Sequence, residues 1–339
     1  MNYIVFKNES ALYYECNYSC DNAIFLKLGK EAFFITDGRY EIEAKRAIKR
    51  AQVLITNTLL DKLIEILKKN RVKNIAIDPV EWDIYSFDRL KSQVPTKFKF
   101  IPNMSHKKRV IKSAKEIKYL KKAVKLGKDS FKKIAFALNN LEGSNEIELN
   151  FIIESYLRDY GLRDLSFEPI FAINENAAKP HAIASKKSLK KGDLILLDAG
   201  VKYKRYCSDR TRTAYYDKDF TFNTKQKFKS NKIQKAYDCV LKAHDMAIKK
   251  ARAGMRAKDI DKIARDVIEK KGFGKYFVHS TGHGVGIDIH EMPYISYKSD
   301  TVIEDGMVFT IEPGIYIEGE FGIRIEDMVV ISNSKAEVL

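Results

Sequence analysis

The 339-residue chain is 45% hydrophobic and 31% charged, apolar enough for sizeable cores and for two domains, which excludes wholesale disorder. Its 61 Lys+Arg against 45 Asp+Glu give a net charge of +16, an invitation to a polyanion-binding reading. The distribution argues otherwise: 46 of the basic residues are Lys rather than fork-forming Arg, residues 105–135 hold 12 basic against 2 acidic, and residues 288–339 hold 3 basic against 11 acidic. Cys16, Cys20, Cys207 and Cys239 form no C-x-x-C pair and read as the thiols of a reducing compartment. The N-terminus lacks a basic-then-apolar leader pattern, and no apolar run reaches the roughly 18 residues of a membrane span. A soluble, cytoplasmic protein with no nucleic-acid and no membrane partner is expected.

In chain order, Ala23–Leu28 and Glu31–Thr36 flank a Gly29-Lys30 turn and read as a hairpin. Asp37-Gly38-Arg39-Tyr40 opens a helical stretch to about Arg50. Strands are expected at 52–56, 74–78 and 97–101, with a helix over 59–69, which makes an α/β layer. Pro95 and Pro102 in a Lys-rich setting mark a boundary near 105, giving domains 1–105 and 106–339. Ile117, Leu120, Val124, Gly127, Phe131, Ile134 and Leu138 then form one face of a long helix whose lysines cover a solvated face. Asn145 with Glu148 forms a capping box for a helix to about Tyr160, and further helices are expected at 233–251 and 259–271. The remainder, 193–201, 205–213, 306–317 and 322–331, reads as strand.

The chemistry lies in these strands. An apolar run ends in Asp198, and Asp209 follows eleven residues later. A connecting turn over 201–206 would set the two directly opposite, with Cβ atoms about 5 Å apart. Glu312 and Glu326 are symmetric about Gly319 and should face each other likewise. Opposed like charges destabilise a sheet unless a cation lies between them, and two such pairs are hard to explain as packing. His283, in Thr281-Gly282-His283-Gly284-Val285-Gly286, has glycine on both sides, which suggests a tight loop or strand edge where backbone can approach an ion. Two divalent cations would neutralise the four carboxylates, and four oxygen ligands with one imidazole suit Mn²⁺, Co²⁺, Fe²⁺ or Zn²⁺. Such a pair, about 3.5 Å apart, can bridge a hydroxide and polarise a carbonyl, which predicts hydrolysis. H-E-x-x-H, P-loop, dinucleotide and G-x-S-x-G signatures are all missing.

The order Asp198, Asp209, His283, Glu312, Glu326, in T-G-H-G-V-G, F-T-I-E-P-G and I-R-I-E-D contexts, resembles the pita-bread dinuclear metallopeptidases. These include methionine aminopeptidase, aminopeptidase P and prolidase, with the metal-free creatinase. Ile35-Thr36-Asp37-Gly38-Arg39-Tyr40 resembles their creatinase-type N-terminal domain, which narrows the likeness to the Xaa-Pro peptidases. The resemblance implies an α/β N-terminal domain followed by an α+β pita-bread catalytic domain, two metal ions per subunit with manganese foremost, and a homodimer. It implies that Asp198 holds one metal, His283 and Glu312 the other, and that Asp209 and Glu326 bridge both. Glu312 would shuttle the proton, His290 and His181 would bind substrate and support the oxyanion, and His279 would line the proline pocket. Arg324, two residues before Glu326 on the same strand face, is expected to orient a ligand carboxylate or carbonyl. His106, His244 and Cys207 are assigned no role.

Several prolidases carry a basic residue four positions after the His290 equivalent, where it holds the dipeptide carboxylate. Tyr294 stands there, so the resemblance favours an Xaa-Pro aminopeptidase acting on longer peptides with proline second. Xaa-Pro dipeptidase is the alternative. A non-catalytic binding protein keeping the fold is a third reading, disfavoured because all five ligand positions are intact.

Overall fold

In the computed structural model, which describes residues 1–339, the chain divides into Met1–Arg109 and Val110–Leu339. The first unit runs β1 (Tyr3–Phe6), α1 (Glu9–Cys16), β2 (Ala23–Leu28), β3 (Glu31–Thr36), α2 (Glu41–Ala47), β4 (Gln52–Ile55), α3 (Leu59–Lys69), β5 (Asn74–Ile77), α4 (Ile84–Gln93), β6 (Lys97–Phe100) and α5 (Met104–Arg109). The six strands form one mixed sheet in the order β4-β3-β2-β1-β5-β6. Alternation explains its apolar strands: Ile24 and Leu26 join Ile4, Leu63 and Leu67 on one face, while Ala23 and Phe25 join Val5, Leu12 and Phe34 on the other. The β2–β3 turn uses Gly29 at φ +55°. The expected helix to Arg50 is shorter. A 3₁₀ turn over Gly38–Tyr40, capped by Asp37, precedes α2, and Ile48 is already extended. Asn103 and Met104 donate their backbone N–H groups to the Asp78 carboxylate at 3.1 and 2.7 Å, so the segment after Pro102 is a tethered short helix.

The second unit runs α6 (Ala114–Leu138), α7 (Glu146–Leu157), β7 (Ile170–Ile173), β8 (Leu194–Asp198), β9 (Lys202–Tyr203), β10 (Tyr206–Cys207), β11 (Thr211–Tyr215), α8 (Asn231–Lys250), α9 (Ala257–Lys270), β12 (Gly282–Gly284), β13 (Glu291–Ile295), β14 (Val308–Ile311), β15 (Gly314–Ile317), β16 (Phe321–Arg324), β17 (Asp327–Ser332) and β18 (Lys335–Val338). Helix α6 starts ahead of Ile117 because Ser113 and Glu116 form a capping box, as Asn145 and Glu148 do for α7. Strands order as β11-β8-β7 and as β13-β12-β14-β17-β18, with β15-β16 a separate hairpin. No helix is long and apolar enough to cross a membrane.

Strand β8 is apolar throughout because both its faces are covered. Ile195 and Leu197 pack with Phe131, Leu149 and Ile153 of α6 and α7, whereas Leu194 and Leu196 pack with the core of α8, α9 and the C-terminal strands. By the same alternation Asp198 turns toward the C-terminal strands.

Two expectations about register divide here. Strand β8 pairs with β11 as Asp198↔Thr211, not Asp198↔Asp209. The turn tightens onto Lys204 and Arg205, both with positive φ, and the pairing slips by two residues. An even slip keeps the face, so Asp209 lies diagonal to Asp198 on the same side of the hairpin. In the second hairpin Gly314↔Arg324 and Ile311↔Asp327 share one register, which places Glu312 across from Glu326 as expected. The long strands expected at 306–317 and 322–331 are each interrupted at those glutamates. The N–H of Glu312 goes to Thr281 O at 2.8 Å and that of Glu326 to Thr211 O at 3.1 Å, so the hairpin opens to grip its two neighbours.

Candidate metal centre

Five elements converge on one cavity of about 430 Å³. Asp198 ends β8, Asp209 precedes β11, His283 is the middle residue of β12, and Glu312 and Glu326 occupy the two strand interruptions. All five line the cavity together with His181, His279, His290 and Arg324. The glycines around His283 have a different purpose from the expected approach to an ion. A Cβ on Gly282 would lie 1.9 Å from Thr310 O, and one on Gly284 2.2 Å from Met292 O. Strand β12 is squeezed between β13 and β14, and only glycine fits there.

Ligand atoms of Asp209, His283 and Glu326 lie within 4.8 Å of one another. His283 Nε2 is 3.6 Å from Asp209 Oδ2 and 3.3 Å from Glu312 Oε1. Its Nδ1 lies 3.1 Å from Gly284 O, an arrangement in which Nδ1–H donates and Nε2 keeps its lone pair toward the acids. Burial holds this imidazole below its ordinary pKa, in the neutral form that ligates metals. Two threonines brace the acids: Thr211 donates to Glu326 Oε2 at 2.6 Å and Thr310 to Glu312 Oε1 at 3.0 Å. Neither was singled out in the sequence, although each lies on the same sheet face as a ligand.

Arg324 is committed to the protein itself. It donates to Asp198 Oδ2 at 2.7 Å, Tyr316 Oη at 2.7 Å and Thr211 Oγ1 at 3.0 Å. Burial disfavours its charge, but Tyr316, Asp198, Glu312 and Glu326 outweigh that and hold it protonated. Tyr316 Oη in turn lies 2.9 Å from His279 Nε2, while His279 Nδ1 lies 2.7 Å from Ser280 O. His290 stands 4.3 Å ring to ring from His283 and is kept neutral by burial, then by His283 and His181. His181 sits exposed at the mouth.

The residues present fit divalent cations. Burial, then the neighbouring acids, raises the carboxyls of Asp209 and Glu326 well above the usual range; burial also raises Glu312. Asp198 Oδ1 is buried without a hydrogen-bond partner. One guanidinium cannot balance four carboxylates, and an orphaned carboxylate oxygen beside a neutral imidazole is a cation's coordination set.

The Metallopeptidase family M24 model matches residues 118–333, and the Creatinase/Prolidase N-terminal domain model matches residues 2–111. The chain is 38% identical over 280 residues to an Xaa-Pro dipeptidase of Pyrococcus furiosus, covering 82% of this chain and 76% of the relative. An Xaa-Pro dipeptidase structure from Bacillus anthracis superposes with a TM-score of 0.90 at 33% identity, over 99% of this chain and 92% of that one. An X-Pro aminopeptidase structure from Thermotoga maritima gives 0.89 at 30% identity, over 99% and 94%. With a carboxylate-rich, metal-fitting cavity in its second unit and a six-stranded sheet in its first, the chain belongs to metallopeptidase family M24, in the pita-bread fold with a creatinase/prolidase N-terminal domain.

Proposed function

We propose that this metallopeptidase is an Xaa-Pro dipeptidase. The likeness to Xaa-Pro dipeptidases across both units supports dipeptides over the longer peptides favoured from Tyr294 alone. The cavity of about 430 Å³ suits a dipeptide-sized ligand. Tyr294 lines it, and its phenol can donate a hydrogen bond to a substrate carboxylate where a basic residue would pair with it. The second reading, Xaa-Pro aminopeptidase, rests on Tyr294 and on the likeness to the Thermotoga protein.

Asp198, Asp209, His283, Glu312 and Glu326 would hold two divalent ions, with manganese foremost. When bound, such ions supply Lewis acidity to the scissile carbonyl and a nucleophile at neutral pH. Glu312, its carboxyl raised by burial, takes the proton released on attack and delivers it to the departing prolyl nitrogen. That nitrogen leaves as a secondary amine and needs the proton. Neutral His290 donates a hydrogen bond to the developing oxyanion, with His181 at the mouth positioning the peptide. His279 has both nitrogens engaged and presents its ring to the cavity, a surface suited to the proline ring. Arg324 fixes Asp198, an orienting role different from contact with substrate. The four cysteines are unpaired and buried, which supports a cytoplasmic site of action.

Hydrolysis of Ala-Pro compared with Ala-Pro-Ala by the manganese-loaded protein tests the proposal. Preferential cleavage of Ala-Pro is expected. Cleavage of the tripeptide alone would move the assignment to the aminopeptidase.

A further inference from the structure

The catalytic unit holds a second and larger cavity, of about 1030 Å³, which shares no lining residue with the metal centre. Lys128, Arg210, Arg212, His244 and Asp327 form its polar wall. Arg212 Nη2 donates to both oxygens of Asp327 at 2.8 and 2.7 Å, which accounts for that charge. Arg210 reaches the same carboxylate only at 3.4 Å, and His244 Nε2 likewise lies 3.4 Å from it. Arg210 Nε and Arg212 Nε are buried with no hydrogen-bond partner. Lys128 donates to the main-chain oxygen of Leu339.

Three cations therefore surround one buried carboxylate. The other lining acids, Asp219 and Asp245, are exposed, and Lys132 and Lys249 line the cavity as well. The Arg210 and Arg212 guanidiniums share the one Asp327 carboxylate. Beside them runs an apolar wall. The Arg210 guanidinium sits 5.6 Å from the Phe131 ring, Phe131 packs on Phe222 at 5.4 Å, and Phe222 on Phe220 at 5.3 Å. Phe136, 76% exposed, lines the same cavity.

We propose that this cavity binds an organic phosphate with an aromatic or apolar body. The surplus of positive charge over Asp327 suits the anionic oxygens of a phosphate monoester. An arginine fork facing a cavity is the donor geometry that phosphate oxygens take up. The phenylalanine wall supplies the surface on which a ring stacks, and the volume suits a nucleotide-sized body. Arg210 follows Asp209 and Asp327 follows Glu326, so this site and the metal centre draw on the same two chain segments.

Isothermal titration of the metal-loaded, full-length protein with AMP, adenosine, inorganic phosphate and hexanoate tests the assignment. AMP is expected to bind, phosphate to bind more weakly, and adenosine and hexanoate to give no signal. Arg210→Met should weaken AMP and phosphate about ten-fold or more. Phe136→Ala, at an exposed position where folding is safe, should weaken AMP and leave phosphate unchanged. Silence with AMP at millimolar concentration, or binding of hexanoate without AMP, overturns the proposal. So does AMP binding that Arg210→Met leaves intact, as phosphate held on the metals would be. If Arg210→Met does not fold, Phe136→Ala decides: unchanged AMP affinity overturns the site.

Discussion

Arg324 donates to Asp198 Oδ2 at 2.7 Å and leaves Oδ1 of the same carboxylate buried without a partner. One half of the acid is thereby oriented by the protein and the other half left open to a cation. Arg324→Lys keeps the charge but breaks a fork that also holds Tyr316 and Thr211. Metal affinity of the apoenzyme, read by titration calorimetry, should fall about 10–100-fold. Affinity equal to wild type would mean that the guanidinium does not position Asp198.

Stability should depend on pH in opposite ways with and without metal. Asp209, Glu312 and Glu326 have folded-state carboxyls raised above their ordinary values, so the folded apoprotein binds more protons than the unfolded chain. Its stability is full below about pH 4 as far as these groups are concerned, and is lost as pH rises through their raised values. Metal displaces those protons, so the Tm gain on adding Mn²⁺ should grow from pH 5 to pH 7. Calorimetry in EDTA and in Mn²⁺ reads the difference. A metal-induced shift that shrinks with pH would contradict the placement of the metal among these acids.

Gly282→Ala puts a methyl group 1.9 Å from Thr310 O, a backbone atom that cannot turn aside. Strand β12 must then move away from β14, at a cost of about 1–3 kcal/mol or more in denaturant unfolding. His283 moves with it, so metal affinity should fall as well. Gly29→Ala, in an open turn of the other unit, should leave metal binding unchanged.

Glu312→Gln keeps the size of the side chain and a partner for Thr310 while removing the carboxylate proposed to shuttle the proton. The kcat for Ala-Pro should fall about 10²–10⁴-fold at saturating metal. A loss confined to sub-saturating metal, absent at saturation, would make Glu312 a ligand only.

Much of the centre was legible because carboxylates at the ends of apolar runs are costly without a partner. Symmetry about Gly319 gave the Glu312–Glu326 register directly, since that turn is tight and the flanking strands are regular. The Asp198–Asp209 pairing was displaced by two residues because Lys204 and Arg205 adopt left-handed backbone, which no glycine or asparagine announced. Short elements such as β1, α1 and β7 escaped, their few residues carrying little periodicity. Thr211 and Thr310 could have been found from strand alternation with Glu326 and Glu312 in mind. The cluster around Arg210 could not, because it joins α6, β11 and α8 through tertiary packing alone.

The central claim is that four carboxylates and one imidazole hold the metal ions on which peptide cleavage depends. Stepwise addition of Mn²⁺ to exhaustively dialysed protein, with bound metal and Ala-Pro hydrolysis measured on the same samples, tests it most directly. Activity should be absent in the apoprotein and rise to a plateau as two ions bind per chain. Full hydrolysis without metal, or a protein that retains none, would contradict it.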